Sequence, residues 1–313
     1  MNFLDRYFFN PSWWQKIIIF TLLPFSFLYS LIASINTFKL KKYTFKIPII
    51  SVGNISVGGN GKTPFCKALS DYLYPIYKDD IFIILRGYKR KSKGLIVVKH
   101  QNKILCKESI SGDEAMEHAL FSQANVIVSE DRIKGIKKAI SLGAKCIILD
   151  DGFNKFNIKK YDILLNSKIP YKYNFCLPSG AFRLPTCFSK KANLNLFEGK
   201  DYFRKSFVKD IKDEMILISG IAKPFRLLEF SNLVKAYYFY NDHADFCKNS
   251  IQELLNKHQA KYILTTKKDY VKLKEYDFNL VLIEEVLSLS ESVKTAINDY
   301  LKEFDVSNND NQQ

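Results

Sequence analysis

The segment Pro48-Ile49-Ile50-Ser51-Val52-Gly53 runs through Ser56-Val57-Gly58-Gly59-Asn60-Gly61-Lys62-Thr63 into a helical pattern over 62–74. A strand, a glycine loop and a helix in that order constrain the fold more than anything else in this 313-residue chain. The glycines let backbone N–H groups close around an anion at the positive end of the next helix. In such a loop Lys62 reaches the β- and γ-phosphates of ATP, and the Thr63 hydroxyl ligates Mg²⁺. The strict pattern has glycine where Ser56 stands. The flanking strand and helix and the intact Gly61-Lys62-Thr63 outweigh that departure.

A loop of this kind needs a carboxylate at the end of a neighbouring strand. Cys146-Ile147-Ile148-Leu149-Asp150-Asp151 provides one, a buried apolar run ending in two acids. One of Asp150 and Asp151 holds Mg²⁺ directly or through water, and the other orients it. Alone, Asp-Asp-Gly is an ordinary turn; its pairing with the loop at 56–63 gives it chemical meaning.

Around these motifs, apolar runs at 81–85, 125–128, 145–149 and 161–165 alternate with helical patterns at 112–122 and 132–142. Alternation of this kind predicts an α/β fold of the P-loop NTPase type, a mainly parallel sheet with helices on both faces. The pattern weakens over 176–212, which reads as a linker or hairpin. It resumes with strands at 215–219, 235–240, 261–264 and 279–283 and a helix over 288–304, a second, smaller α/β domain. The expected division is 1–46, 47–212 and 213–313.

Residues 17–38 carry no charge, and as one helix they would extend about 33 Å, a bilayer's thickness. A cleaved signal, a full span, an interfacial helix and a buried core helix all fit that length. Ser26, Ser30 and Ser34 repeat along one line near Thr37, which favours a helix lying in the interface or packed on its own domain. Trp13, Trp14 and Tyr29 suit the headgroup region, and Lys39, Lys41, Lys42 and Lys46 suit an anionic cytoplasmic leaflet. The formal net charge of +15 points the same way, toward acidic partners. No stacking motif or helix-turn-helix signature accompanies that charge, so nucleic acid is not an expected partner. The six scattered cysteines form no metal pattern and fit a reducing compartment.

The chain resembles the tetraacyldisaccharide 4'-kinase family, the lipid A 4'-kinases. The resemblance rests on Val52-Gly53-Asn54, the Gly58–Pro64 run, Arg86-Gly87-Tyr88, Gly112-Asp113-Glu114, Asp131-Arg132 and Asp150-Asp151-Gly152-Phe153. It continues through Ser219–Pro224, Asp242-His243, Leu264–Asp269 and Val271-Lys272-Leu273. It implies transfer of the γ-phosphoryl of ATP to the 4'-hydroxyl of a tetraacylated glucosamine disaccharide 1-phosphate, a lipid A precursor. It also implies work at the cytoplasmic face of the bacterial inner membrane, in a cleft between two domains and with no obligate protein partner. By the same resemblance Asp113 is the catalytic aspartate and His243 its dyad partner, while Arg132 and Arg183 lie near the phosphates or the lipid headgroup. Departures stand at Asn154-Lys155, where the family has Gln-His, and at Leu184, where it has a glutamate suited to the metal shell.

A P-loop switch protein is the competing class. Its base-reading Asn-Lys-x-Asp segment is poorly matched by Lys267-Lys268-Asp269. The basic run Arg86–Lys93 reads either as a solvated loop or as a face for anionic lipid.

Overall fold

The structure is a computed structural model that describes residues 3–38, 41–58, 61–88, 90–242 and 244–309. The chain begins with three helices, α1 (Phe3–Phe9), α2 (Trp13–Thr21) and α3 (Leu23–Phe38). The uncharged run is therefore two helices rather than one, bent by 51° between α2 and α3. Proline explains the break, because Pro24 has no N–H to donate into the preceding turn. Among the described residues no single helix is long and apolar enough to cross a membrane.

The serine stripe faces the body of the protein. Ser26 is buried and its Oγ accepts from the Ser179 N–H at 2.9 Å. Ser34 and Thr37 are half-buried and donate back into their own helix, to Ser30 O and Ser34 O. The opposite face, with Phe25, Phe27, Leu28, Leu31, Ile32 and Ile35, is exposed, and so are Trp13, Ile17 and Phe20 of α2.

The first sheet comprises β1 (Ile49–Gly53), β2 (Ile81–Leu85), β3 (Ile96–His100), β4 (Lys103–Ile104), β5 (Asn125–Val128), β6 (Cys146–Asp150), β7 (Tyr161–Leu165) and β8 (Leu194–Leu196). Its order is β4-β3-β5-β2-β6-β1-β7-β8. Every pairing from β5 to β8 is parallel, while β3 runs antiparallel to both neighbours. Strands β1, β2 and β6 are buried throughout, as unbroken apolar runs in a doubly covered sheet must be.

Side-chain alternation divides the sheet's faces. Ile50, Val52, Ile81 and Ile83 pack with Phe65, Leu69 and Leu73 of α4 (Lys62–Tyr77). The short turn α5 (Glu108–Ser111) leads into α6 (Asp113–Phe121), whose Ala115, Met116 and Ala119 join that face. Ile49, Phe82, Ile84 and Ile147 instead meet Ile136 and Ala139 of α7 (Arg132–Ser141).

The second sheet holds β9 (Tyr202–Val208), β10 (Met215–Ser219), β11 (Ala236–Phe239), β12 (Tyr262–Thr266) and β13 (Leu280–Leu289), in the order β11-β10-β12-β13-β9. It is parallel except for β9, which pairs antiparallel with β13. The stretch expected as a linker thus contributes β8 to the edge of one sheet and β9 to the edge of the other. Helices α8 (Lys248–Lys257) and α9 (Lys267–Leu273) cover the second sheet. The last helix, α10 (Glu291–Asn309), returns to the first: Tyr300 Oη donates to the Ile49 carbonyl and accepts from its N–H, both at 3.1 Å. Val293, Ile297 and Leu301 of α10 share one apolar core with Ile50 and Phe65.

Candidate active site

The register of the central strands brings the two sequence motifs together. Val52 lies opposite Asp150 in the β1–β6 pairing, so the second acid-bearing strand ends beside the start of the glycine loop. Gly61, with φ +73°, occupies the N-cap of α4, a conformation that favours glycine. Gly59 and Asn60 lie outside the described residues. Gly58 also has a positive φ, whereas Ser56 does not. A side chain is therefore tolerated at Ser56, and Tyr171 Oη donates to its Oγ at 3.1 Å. Tyr171 also lies 3.1 Å from the Val57 carbonyl, and the Val57 N–H donates to Ala181 O at 2.8 Å. The loop is clamped from outside by the 171–182 segment.

Thr63 and Asp150 meet as the motifs require. Thr63 Oγ1 donates to Asp150 Oδ2 at 3.3 Å. The same carboxylate oxygen accepts from His118 Nε2 at 3.0 Å, with both side chains almost fully buried. Burial alone would raise the Asp150 carboxyl. The hydrogen bond from His118, with the charges of Lys62 and Arg132, outweighs burial and holds it below the usual carboxylate range. Asp150 is thus kept ionised inside the protein.

Asp151 behaves differently. It is half-exposed at φ +52° and sits among cations, with Lys62 Nζ at 3.8 Å and Arg183 reaching both of its oxygens at 3.3 and 3.4 Å. Arg183 also donates to the Asn54 side-chain oxygen, which takes a second bond from Lys62 Nζ at 3.3 Å. Asn54, Lys62, Asp151 and Arg183 form one network beside the loop.

Arg132, buried at the first turn of α7, donates to Ser129 O at 2.6 Å and to Asp150 O at 3.1 Å. Its Nε is buried without a partner among the described residues, and burial pulls the guanidinium pKa down to about 10. It braces the end of β6 from below. Asp113, also buried, accepts from the Glu114 N–H at 3.0 Å. Lys268 of α9, which donates to Asp242 at 2.7 Å, feels the charges of both Asp113 and Glu114. The second sheet therefore delivers Asp242 and Lys268 to the neighbourhood of Asp113. His243 lies outside the described residues.

Oxygen donors suited to a hard cation converge at Thr63 and Asp150, a hydroxyl beside an ionised buried carboxylate. Among the described residues no three His, Cys, Asp or Glu side chains cluster for a metal. Leu184 packs into the apolar cluster of Ile55, Phe153 and Phe188, where it has nothing to offer an ion. Asn154 and Lys155 line a cavity of about 220 Å³ beside Arg132. In the basic run, Arg90 is buried on Glu130 at 2.5 Å and so belongs to the fold, while Arg86, Lys91 and Lys93 are exposed.

The family model described as tetraacyldisaccharide-1-P 4'-kinase matches residues 18–215 and 204–302. The chain belongs to that family. It is 52% identical over 303 residues to a tetraacyldisaccharide 4'-kinase of Campylobacter jejuni, covering 96% of each chain. It is 44% identical over 310 residues to that of Aliarcobacter butzleri, covering 96% of this chain and 97% of the other. The crystal structure of LpxK from Aquifex aeolicus in complex with ATP superposes with a TM-score of 0.76, at 29% identity, covering 92% of this chain and 99% of that one.

His118 and Tyr171 are site residues that sequence reasoning missed. His118 carries no motif; its only signal is a histidine placed on the apolar face of a helix. Tyr171 lies in the stretch after β7 where periodicity gives no guidance.

Proposed function

We propose that this kinase transfers the γ-phosphoryl group of ATP to the 4'-hydroxyl of a tetraacylated glucosamine disaccharide 1-phosphate, a step of lipid A synthesis. The observation that carries the reading is the Thr63–Asp150–His118 chain of hydrogen bonds at the mouth of the loop that presents Lys62. The γ-phosphoryl passes in line from the β-phosphate to the sugar oxygen. Lys62 follows the charge onto the leaving oxygens, and the Asn54–Arg183–Asp151 network sets where Lys62 points. Asp113 accepts the hydroxyl proton as the new P–O bond forms, and His243 is its partner in that role. Thr63 and Asp150 would hold Mg²⁺, which would supply neutralisation of the charge that develops on the phosphates.

The lipid acceptor has to be reached at a membrane surface. The exposed faces of α2 and α3 join Phe3 and Leu4 of α1 in an apolar surface far from the polar exterior expected of a free protein. We assign it to the anionic cytoplasmic face of the inner membrane, as a bent, non-spanning anchor. Tyr29 Oη donates to the Arg183 carbonyl at 3.2 Å, so the anchor touches the active-site arginine's own backbone.

The test is ATP turnover by the purified full chain in detergent, with and without a tetraacyl disaccharide 1-phosphate. Lipid-dependent formation of ADP and of a bisphosphorylated product is expected. ATP hydrolysis indifferent to the lipid would refute the assignment.

A further inference from the structure

One cation beside the phosphate loop comes from the other sheet. Arg204, on β9, packs its guanidinium against the open side of Gly61, where a Cβ would lie 2.3 Å from Nη2. The side chain is only 12% exposed and is held by two carboxylates. Its Nη1 donates to Glu285 at 2.7 Å, a strong charge-assisted bond. Its Nε and Nη2 reach Glu198 only at 3.3 Å, near the limit for such bonds. The weakly held arm is thus the one that faces the loop. Glu285 also pairs with Arg226 at 2.8 Å, so the two arginines and two glutamates are neutral together.

We propose that Arg204 is a further nucleotide-phosphate residue, supplied by the second sheet and held ready at Gly61 by Glu285. This rests on the ATP site proposed above and extends it. Glycine at 61 leaves room for the guanidinium as well as the backbone turn. When the triphosphate enters, Nη2 exchanges its long contacts to Glu198 for a phosphate oxygen, while the Nη1–Glu285 bond keeps the planar fork aimed. Neither sheet alone contains the complete phosphate site.

The experiment is equilibrium ATP binding by the full chain in detergent, for the wild type, Lys62→Ala, Arg204→Gln, Glu198→Gln and the Arg204→Gln/Glu198→Gln double variant. Loss of a charge-assisted contact predicts that Arg204→Gln weakens ATP by roughly tenfold or more. Glu198→Gln removes the competing carboxylate and is expected to tighten ATP several-fold, a gain that vanishes in the double variant. A purely structural Arg204 would make Glu198→Gln neutral or harmful. If Arg204→Gln does not fold, the direction of the Glu198→Gln change decides alone, tightening in favour and anything else against. Affinity of Arg204→Gln within about twofold of wild type overturns the proposal, and so does a Glu198→Gln gain that persists without Arg204. A wild type that binds no ATP, or Lys62→Ala that binds it normally, would sink the loop reading itself and this one with it.

Discussion

Replacing His118 by alanine tests the least advertised part of the site. The imidazole donates at 3.0 Å to a carboxylate that is itself almost fully buried. A hydrogen bond to a buried charge is worth about 1.5–3 kcal/mol, and loss of the ring's packing adds about 1–2 kcal/mol. His118→Ala is therefore expected to lose about 3–4 kcal/mol of stability, several times the typical cost of a surface change. Glutamine carries an amide N–H close to where Nε2 stands, so His118→Gln should lose less than about 1.5 kcal/mol. Activity should follow the same order. Without its donor the Asp150 carboxylate is left with Thr63 and more distant cations, and misplacing it should lower kcat by about ten- to a hundredfold in the alanine variant. Urea unfolding in detergent and lipid-dependent ATP turnover measure the two effects. The reasoning is refuted if His118→Ala stays within about 1 kcal/mol of wild type with unchanged kcat, or if glutamine rescues nothing.

Lys62→Ala should nearly abolish phosphoryl transfer while the melting temperature barely moves; near-normal turnover at saturating ATP would remove Lys62 from the chemistry. Asp113→Ala and His243→Ala should each cost about 10²–10⁴-fold in kcat, and the double variant little more than the worse single one, whereas multiplicative losses would separate their roles. Glu117, half-buried between α6 and the second sheet, has its carboxyl pushed by burial from 4.5 to about 7. The folded protein therefore keeps a proton that the unfolded chain gives up, so stability should fall as pH rises across that window. Glu117→Gln should flatten this slope and gain up to about 2–3 kcal/mol at pH 8, which melts at several pH values would check. Alkaline carbonate should extract the full chain from membranes, as an interfacial anchor requires; resistance to extraction would mean a true span.

Much of this protein is legible along the chain because it depends on neighbours in sequence. The glycine loop, its strand and its helix are one local unit, and the runs at 81–85, 125–128, 161–165 and 215–219 coincide with strands. Buried parallel strands must be apolar throughout, whatever they pair with. The antiparallel edge at 96–104 and strands β8 and β9 went unseen, because short half-exposed edge strands carry little hydrophobic pattern. The bend at Pro24 was written in the sequence but outweighed by the uncharged run around it. What only the tertiary structure decided is who meets whom. Asp150 and Asp151 are indistinguishable as adjacent acids. The fold gives the first a buried histidine and a threonine, and the second a half-exposed place among Lys62 and Arg183. His118 reaches Asp150 from a helix, and Tyr171 and Arg204 reach the loop from a connecting segment and the other sheet. Contacts of that kind arise from sheet order and packing, which no periodicity records.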